Sequence, residues 1–281
     1  MPASASARAG RSLRLALRYA VLVAMAVVVL FPIYITVVNS LLAPDTIAAR
    51  PPTLFPTHPD WSAYSKAFHD GHLGIYLRNS FFVSILITAA QVATSVLAAY
   101  AFAFLRFPFK RTLFVLFLAT LMVPFEVTIL TNRQTIVSLG WFDSFPALVV
   151  PFLATGFGAF LLRQAFLTVP SDLQDAAALD GYGHWRFLAR VVVPLARPAI
   201  GALSVFSFLL SWNQYLWPLI VTESDRVRTV QIGLRQLRVA SVDRVNVTFA
   251  GTVLAALPIF VLLVLFQKQL VRGLTAGAVK G

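Results

Sequence analysis

The sequence Asp175-Ala176-Ala177-Ala178-Leu179-Asp180-Gly181 lies in a polar loop between two long apolar runs, and its local chemistry predicts a helix that ends in a turn. Ser171 and Gln174 fit an S-x-x-Q capping box, so the helix is expected to begin at Asp172. Its first turn carries acidic side chains, which the helix macrodipole favours at that end. Gly181 can adopt a positive φ and thereby end the helix.

A second helix is predicted from about His184 to Val192, and Pro194 is expected to end it because proline cannot continue a helix. The alanines of the first helix form a surface of small side chains that another protein can approach closely. Larger apolar side chains that could fill a partner's surface are Leu173, Leu179, Phe187 and Leu188. By helix amphipathicity alone, a hairpin that packs only on its own membrane domain explains the pattern equally well.

The rest of the chain contains long runs without charge. Of 281 residues, 58% are hydrophobic and only 12% are charged, whereas about a quarter of a soluble domain is charged. Five runs lack charge entirely and one contains a single acid, Glu126, and each is near or above the ~20 residues that cross a bilayer as a helix. The runs are 19–44, 79–105, 112–132, 144–162, 198–222 and 245–267. The sequence therefore predicts an all-α integral membrane protein with six transmembrane helices.

The net charge of +12 indicates membrane orientation rather than nucleic-acid binding. Most basic residues lie in segments that are cytoplasmic if both termini are inside, as Lys and Arg favour. The predicted segments are a basic cytoplasmic tail (1–18), a six-helix transmembrane domain (19–268) containing the loop 171–197, and a cytoplasmic tail (269–281). The first run is too long for a signal-peptide core, so an uncleaved span is expected. Exceptions to the charge rule occupy the last external loop, residues 223–244: Arg226, Arg228, Arg235, Arg238 and Arg244.

The loop quoted first resembles the "EAA" loop of permease subunits of bacterial ATP-binding-cassette (ABC) importers. Asp175 stands where that loop usually has glutamate, and Tyr182 stands where it has a small residue. Two further segments resemble carbohydrate-type permeases, a group similar to the smaller membrane subunit of the maltose transporter and to glycerol-3-phosphate permeases. These are Trp212-Asn213-Gln214-Tyr215-Leu216-Trp217-Pro218 and the glycine-rich tail 273–281.

The resemblance implies the type I permease fold of ABC importers, with the hairpin 171–197 as a cytoplasmic coupling helix that docks into an ATPase. By family, the coupling residues are Asp175, Ala176, Ala177, Asp180, Gly181, Phe187 and Pro194. The implied partners are two ATPase subunits, a homologous second permease, an extracellular solute-binding protein and the lipid bilayer, without nucleic acid. The chain would then be a multi-pass protein of the bacterial inner membrane that imports a solute by alternating access and is not itself an enzyme.

No G-x-x-x-x-G-K-[ST] loop is present, so ATP and Mg²⁺ are expected on the ATPase subunits, and no cofactor is expected on this chain. Histidines near acids, His58, His69 and His72, are expected to be solvated rather than to hold a metal. Two other functions fit the sequence less well. An ion-coupled secondary transporter needs buried ionisable groups and often two related halves, but only Glu126 lies well inside a span. A membrane-bound enzyme lacks any catalytic cluster.

Polar and aromatic residues within the spans are candidates for a solute path. Along straight helices, Glu126 and Asn213 would lie equally far from the cytoplasmic ends of their spans, roughly 22 Å at 1.5 Å per residue. The candidates are Glu126, Trp212, Asn213, Gln214, Tyr215 and Trp217, a mixture of hydrogen-bonding groups and flat rings that suits a sugar. Alternatively, the aromatic residues are interfacial anchors, Glu126 pairs with Arg133, and Gln91 makes only an interhelical hydrogen bond. The solute is a neutral sugar, an oligosaccharide or a glycerol-phosphate compound; the sequence leaves these open.

Overall fold

The computed structural model describes residues 5–240 and 243–275, and every regular element in those two ranges is helical. These described residues form two compact units, drawn from Met1–Gly71 with Leu237–Leu254 and from His72–Gln236 with Ala255–Gly281. The helices of the first unit are α1 (Ala5–Leu41), α2 (Pro44–Ile47) and α3 (Ser62–His69). The boundary between the units falls within α14 (Val230–Ala240) and within α15 (Val245–Thr275).

The second unit contains the remaining helices. They are α4 (Leu73–Phe104), α5 (Lys110–Ala119), α6 (Phe125–Ser138), α7 (Phe145–Val149), α8 (Gly156–Phe166), α9 (Ser171–Leu179), α10 (His184–Phe187), α11 (Val193–Leu195), α12 (Arg197–Trp212) and α13 (Leu216–Val221). Short 3₁₀ turns follow α5 and α7, and a π-helical turn, Leu188–Val192, joins α10 to α11.

In the first unit, α3 presents small residues to its neighbours. Ala63 and Ala67 are fully buried against Leu237, Val247 and Ala250. Small side chains at these positions allow helical backbones to approach closely, as in other membrane proteins.

In the second unit, α4 is the central helix and packs on both α8 and α12. It contains no proline and ends shortly before Pro108, which allows one uninterrupted helix of 32 residues. Gln91 in α4 donates a hydrogen bond to the Phe152 carbonyl at 2.9 Å, which confirms the predicted interhelical bond.

Three helical segments are long and apolar enough to cross a membrane: Arg14–Leu41, Leu73–Phe104 and Val245–Gln267. Three further candidates are pairs of helices bent at a short break, so the described residues provide three spans, or up to six if each pair counts as one. The predicted tail 1–18 is already helical from Ala5, and the predicted tail 269–281 continues α15 to Thr275. Residues 276–281 lie outside the described residues.

Three predicted spans, 112–132, 144–162 and 198–222, are interrupted rather than continuous helices, and 144–162 bends by 42° between Phe152 and Gly156. The run 112–132 breaks at Val123 and Pro124, where the chain turns by 93°. The run 198–222 breaks after Trp212, and α13 begins only at Leu216. The first break has a clear cause, because a proline lacks the N–H that continues a helix, so a new helix begins after it.

Candidate functional site

The predicted hairpin is present and consists of α9, a turn at Gly181 and a second helical segment that begins at His184. Gly181 has a φ of +73°, which confirms the prediction that it ends the first helix in a left-handed conformation. The capping box is wrong: Ser171 is already helical, Pro170 occupies the cap position, and no side chain caps the helix. Proline fills this role because its fixed φ suits the entry to a helix.

The second segment does not end at Pro194 as predicted. After α10 it widens into the π-turn Leu188–Val192 and continues through α11 to Leu195. Pro194 is tolerated because it lies in the first turn of α11, where the missing N–H costs no hydrogen bond. The chain then bends by 79° into α12. The hairpin is therefore joined directly, by a rigid helical segment and a sharp bend, to one of the longer apolar helices.

One face of the hairpin is anchored to α4 and α8. Ala177 and Phe187 are buried in a cluster that includes Tyr100 and Phe166, and the rings of Phe187 and Phe104 meet edge to face at 5.4 Å. The Tyr100 hydroxyl lies 2.9 Å from Nδ1 of His184. A cavity of about 270 Å³ remains between the hairpin and Tyr100. The underside of the hairpin is therefore packed against the end of α4.

The opposite face exposes apolar side chains. Leu179 is 90% exposed, Trp185 is 74% exposed, and Leu173 is also exposed. Asp175, Ala176, Asp180 and Gly181 share this exposure, whereas Pro194 is half-buried. Sequence reasoning missed Trp185, although a tryptophan within a polar loop is itself an unusual signal. Exposed large apolar side chains clustered at one place indicate a surface that another molecule covers.

The predicted solute-path residues do not lie together on one exposed surface. Trp212 is only 1% exposed and donates to the Ala255 carbonyl at 3.2 Å, with its ring against Phe81. Trp217 is 2% exposed and donates to the Ala147 carbonyl at 2.9 Å. Both indole rings are therefore fully packed and both N–H groups are hydrogen-bonded, so in this conformation neither ring is available to contact a solute.

The break after α12 presents the polar members of the set. Asn213 and Tyr215 are exposed and Gln214 is half-buried. Asn213 donates to the Leu209 carbonyl at 2.8 Å, and its side-chain oxygen lies 3.4 Å from Nε2 of Gln231. An unwound segment inside a membrane protein is tolerated where it is buried in protein or lines a cavity.

Glu126 lies in the first turn of α6, directly after the break at Pro124, and is exposed. The depth calculated along a straight helix is therefore wrong for this residue. The alternative pairing with Arg133 is also absent among the described residues. Arg133 instead donates to the Ile220 carbonyl at 3.0 Å and lies over the ring of Phe142.

Replacing Trp212 with alanine is expected to lower the free energy of unfolding by about 3–5 kcal/mol, because a large buried ring leaves a cavity. Replacing the exposed Tyr215 with alanine is expected to change it by less than about 0.5 kcal/mol. Thermal unfolding of the purified protein in detergent measures both. If Trp212→Ala melts normally but impairs transport, the packed position of the indole is not the functional one.

A basic segment, residues 222–230, is held rigidly by side chains from α4 and from the loop before α7. Asn79 donates to the carbonyls of Arg226 and Arg228, each at 2.9 Å. Ser80 accepts the Val230 N–H at 2.7 Å, and Asp143 accepts the N–H groups of Glu223 and Ser224. Sequence reasoning missed this network; the polar pair Asn79-Ser80 at the start of an apolar run was the available signal.

The charge of Asp143 contributes to holding this segment. Burial raises the pKa of this carboxyl, but hydrogen bonds from the backbone N–H groups of Glu223 and Ser224 outweigh burial, so the net pKa is lowered. A lowered folded-state pKa stabilises the segment above the ordinary value of 3.8 and the stabilisation is lost as the pH falls through the folded-state pKa.

We therefore expect amide exchange in residues 222–230, corrected for its intrinsic pH dependence, to increase in acid below about pH 4. Asp143 has a φ of 54°, which asparagine tolerates, so Asp143→Asn removes the charge without backbone strain. That variant should exchange faster at neutral pH and show little further change in acid. An unchanged acid response in Asp143→Asn would contradict the assignment.

No three His, Cys, Asp or Glu side chains approach closely enough to hold a metal within the parts of the chain that the structure describes. The spans, the bent helix pairs and the exposed hairpin together define a multi-pass membrane permease. Residues 91–276 match the family described as "Binding-protein-dependent transport system inner membrane component". The chain belongs to this family, whose members are the permease components of ABC importers, and it is a multi-pass protein of the inner membrane.

Similar proteins of known name are transport permeases rather than enzymes. The chain is 35% identical over 254 residues to the sn-glycerol-3-phosphate transport system permease protein UgpE of Yersinia pestis bv. Antiqua (strain Antiqua), covering 88% of this chain and 90% of the relative. It is 38% identical over 258 residues to the protein of the same name from Rhizobium meliloti (strain 1021), covering 88% and 91%.

Two solved structures share the fold. One is a chain of a bacterial ABC transporter involved in the import of the acidic polysaccharide alginate, with a TM-score of 0.81, 22% identity, and coverage of 94% of this chain and 98% of that one. The other is a chain of a bacterial alginate ABC transporter in complex with an alginate pentasaccharide-bound periplasmic protein, with a TM-score of 0.64, 12% identity, and coverage of 90% and 93%. The fold expected from the resemblance is thereby confirmed.

Proposed function

We propose that this chain is the transmembrane permease subunit of an ATP-driven importer and that the hairpin 171–197 couples it to an ATPase. The observation that carries the proposal is the two-sided hairpin. One face is fastened to α4 and α8 through Ala177 and Phe187, and the other exposes Leu179 and Trp185 to a partner. An element that couples two subunits needs a firm attachment to its own subunit and an exposed surface for the other, and this hairpin has both.

The mechanism is mechanical. Closure of two ATPase subunits around ATP and Mg²⁺ moves the exposed face of the hairpin. The movement reaches α4 through the contact of Tyr100 with His184 and reaches α12 through the 79° bend after Leu195. Packed helices respond to such a displacement by rigid-body rearrangement between a few discrete states, which alternates the access of the solute path. This chain binds no cofactor; the nucleotide and the metal belong to the ATPases.

The solute is proposed to be a sugar or a related polyol or glycerol-phosphate compound, because the named relatives transport sn-glycerol-3-phosphate. The break at Asn213, Gln214 and Tyr215 offers amide and hydroxyl groups for hydrogen bonds. The exposed Arg226 lies in the basic segment 222–230, where its carbonyl is held by Asn79 of α4, and it carries a charge that would attract an anionic solute. Trp212 and Trp217 do not contact the solute in this proposal; as packed residues they stabilise the helices beside its path.

The partners follow from the same proposal. Almost none of the apolar window of α1 is buried within the chain, so we propose that lipid and a homologous second permease cover it. A solute-binding protein delivers the solute at the external face, and the termini and the hairpin lie in the cytoplasm. The basic segment then lies outside.

Reconstitution tests the proposal. We expect the chain to co-purify with an ATPase and a second permease, and the complex in liposomes to import the solute only with internal ATP and external binding protein. Uptake should persist when ionophores remove ion gradients. Uptake by the chain alone, driven by a proton or sodium gradient, would instead establish an ion-coupled secondary transporter.

A further inference from the structure

A basic cavity lies where the end of α4, the start of α5 and the end of α8 meet. Its volume is about 520 Å³, within the range of about 300–1,000 Å³ of pockets that hold small molecules. Three cationic side chains line it, Lys110, Arg111 and Arg163, together with the apolar side chains of Phe102, Phe114 and Leu118. Neither the solute path nor the coupling hairpin uses these residues.

Two of the three cations are held in place without any acid. Lys110 donates to the carbonyls of Ala103 and Leu105 at 3.2 and 2.8 Å, and Nε of Arg163 donates to the Phe102 carbonyl at 3.1 Å. These bonds orient the side chains but neutralise no charge. No acidic residue lines the cavity, and in the described residues the single ion pair, Arg228 with Asp225, belongs to another part of the chain.

The apolar walls are as well defined as the charges. The guanidinium carbon of Arg163 lies 4.2 Å from the centre of the Phe114 ring, which fixes both side chains. From the cavity, α5 continues as an apolar surface, with Val115 and Leu116 more than half exposed. At the other side, Phe109 is 78% exposed in the turn that precedes α5. Cations thus meet an exposed hydrocarbon-like surface at the end of a membrane span.

We infer that this cavity binds the head group of an anionic phospholipid, with the phosphate between Lys110, Arg111 and Arg163 and the acyl chains along α5. A phospholipid fits this site because its charged head group would meet the three cations while its acyl chains would lie along the adjoining apolar surface of α5. Basic pockets between helices at a membrane surface attract anionic head groups. The inference goes beyond the proposed function, since it requires only that the turn before α5 lie at a bilayer surface.

The position adds a consequence for the complex. The cavity shares its end of the unit with the hairpin, because Arg163 lies in α8 just before the loop that leads into α9. A lipid held there would brace the ends of α4 and α8, the same two helices to which the hairpin is anchored. It would therefore fix the platform against which the hairpin moves.

The test is mass-spectrometric titration of the purified complex, freed of lipid in detergent, with phosphatidylglycerol. Arg111→Gln is the first variant, because Arg111 makes no hydrogen bond within the described chain and its loss leaves the turn intact. We expect roughly fivefold weaker phosphatidylglycerol binding for Arg111→Gln and roughly twenty-fivefold for Arg111→Gln combined with Arg163→Gln. Arg106→Gln, which removes one charge from the same turn but not from the cavity, should bind normally.

Two further ligands identify the source of the phosphate. Phosphatidylcholine, which has no net charge, should bind at least tenfold more weakly than phosphatidylglycerol. Inorganic phosphate at equal concentration should not displace bound phosphatidylglycerol. Equal binding by the Arg106→Gln and Arg111→Gln variants would overturn the inference. So would displacement of phosphatidylglycerol by inorganic phosphate alone.

Discussion

Replacing Gly181 with tryptophan is expected to lower the rate of ATP-driven import more than tenfold, while the chain itself still folds. A Cβ added at this position meets no heavy atom within 4 Å beyond its two neighbours in the chain. The cost inside the chain is therefore limited to the positive φ of +73°, about 1–2 kcal/mol for a residue other than glycine. In the complex, however, the indole would project from the hairpin tip into the proposed ATPase surface. Uptake into liposomes and co-purification of the ATPase measure the effect.

Gly140 provides a matched control. It has a φ of +69°, and a Cβ added there also meets nothing within 4 Å. Gly140→Trp therefore carries the same backbone strain at a position outside the hairpin. We expect it to import normally and to melt at the same temperature as Gly181→Trp. Equal loss of import in both variants would show that strain, rather than a partner at the hairpin, is responsible.

Replacing Phe187 with alanine is expected to separate ATP hydrolysis from import. The ring is 4% exposed and is part of the cluster that fastens the hairpin to α4 and α8. Its removal should cost about 3–5 kcal/mol and leave the exposed face of the hairpin unchanged. The ATPase should therefore still bind and hydrolyse ATP, while the solute transported per ATP falls at least tenfold. Parallel assays of hydrolysis and uptake on one preparation give this ratio.

Leu148→Ala separates this effect from simple destabilisation. Leu148 is fully buried in a different cluster, on α7, and does not belong to the cluster that anchors the hairpin. It should lose a similar amount of stability, seen as a similar fall in melting temperature, yet retain a normal ratio of solute to ATP in the fraction that remains folded. If both variants show the same ratio, Phe187 has no particular role in transmission.

Local chemistry was sufficient to predict the hairpin. Short-range features, an alanine-rich helix followed by Gly181, determine a turn because they act within a few residues. The anchor of the hairpin could not be predicted in the same way. Tyr100 and His184 are 84 residues apart in sequence, and nothing in either local context specifies the other. The sequence therefore predicted the shape of the hairpin but not the cluster that anchors it.

The apolar runs were predicted from composition, which determines whether a segment prefers lipid but not whether it is straight. Pro124 lies at the break, but the 93° turn also depends on packing. The ring of Phe125 lies 5.2 Å from Phe152 and 5.5 Å from Trp217, both remote in sequence. The depth assigned to Glu126 failed for that reason, because it assumed that the helix continues through the proline.

The two tryptophans illustrate the other limit. A tryptophan in a membrane helix suits a solute path, an interfacial anchor or a packed core, since its ring is apolar and its N–H is polar. The structure distinguishes these by the acceptors of Trp212 and Trp217, which are the carbonyls of Ala255 and Ala147. Those partners lie 43 and 70 residues away, so no local pattern could have identified them.

The π-turn at Leu188–Val192 determines the direction, about the helix axis, in which the hairpin tip points. A π-turn accommodates one residue more than an α-helical turn, and such turns arise by insertion of a single residue into a regular helix. Deleting one residue within it would restore regular winding and rotate everything before it by about 100° about the helix axis. A homologous loop that is one residue shorter here would then aim the same exposed side chains in a different direction.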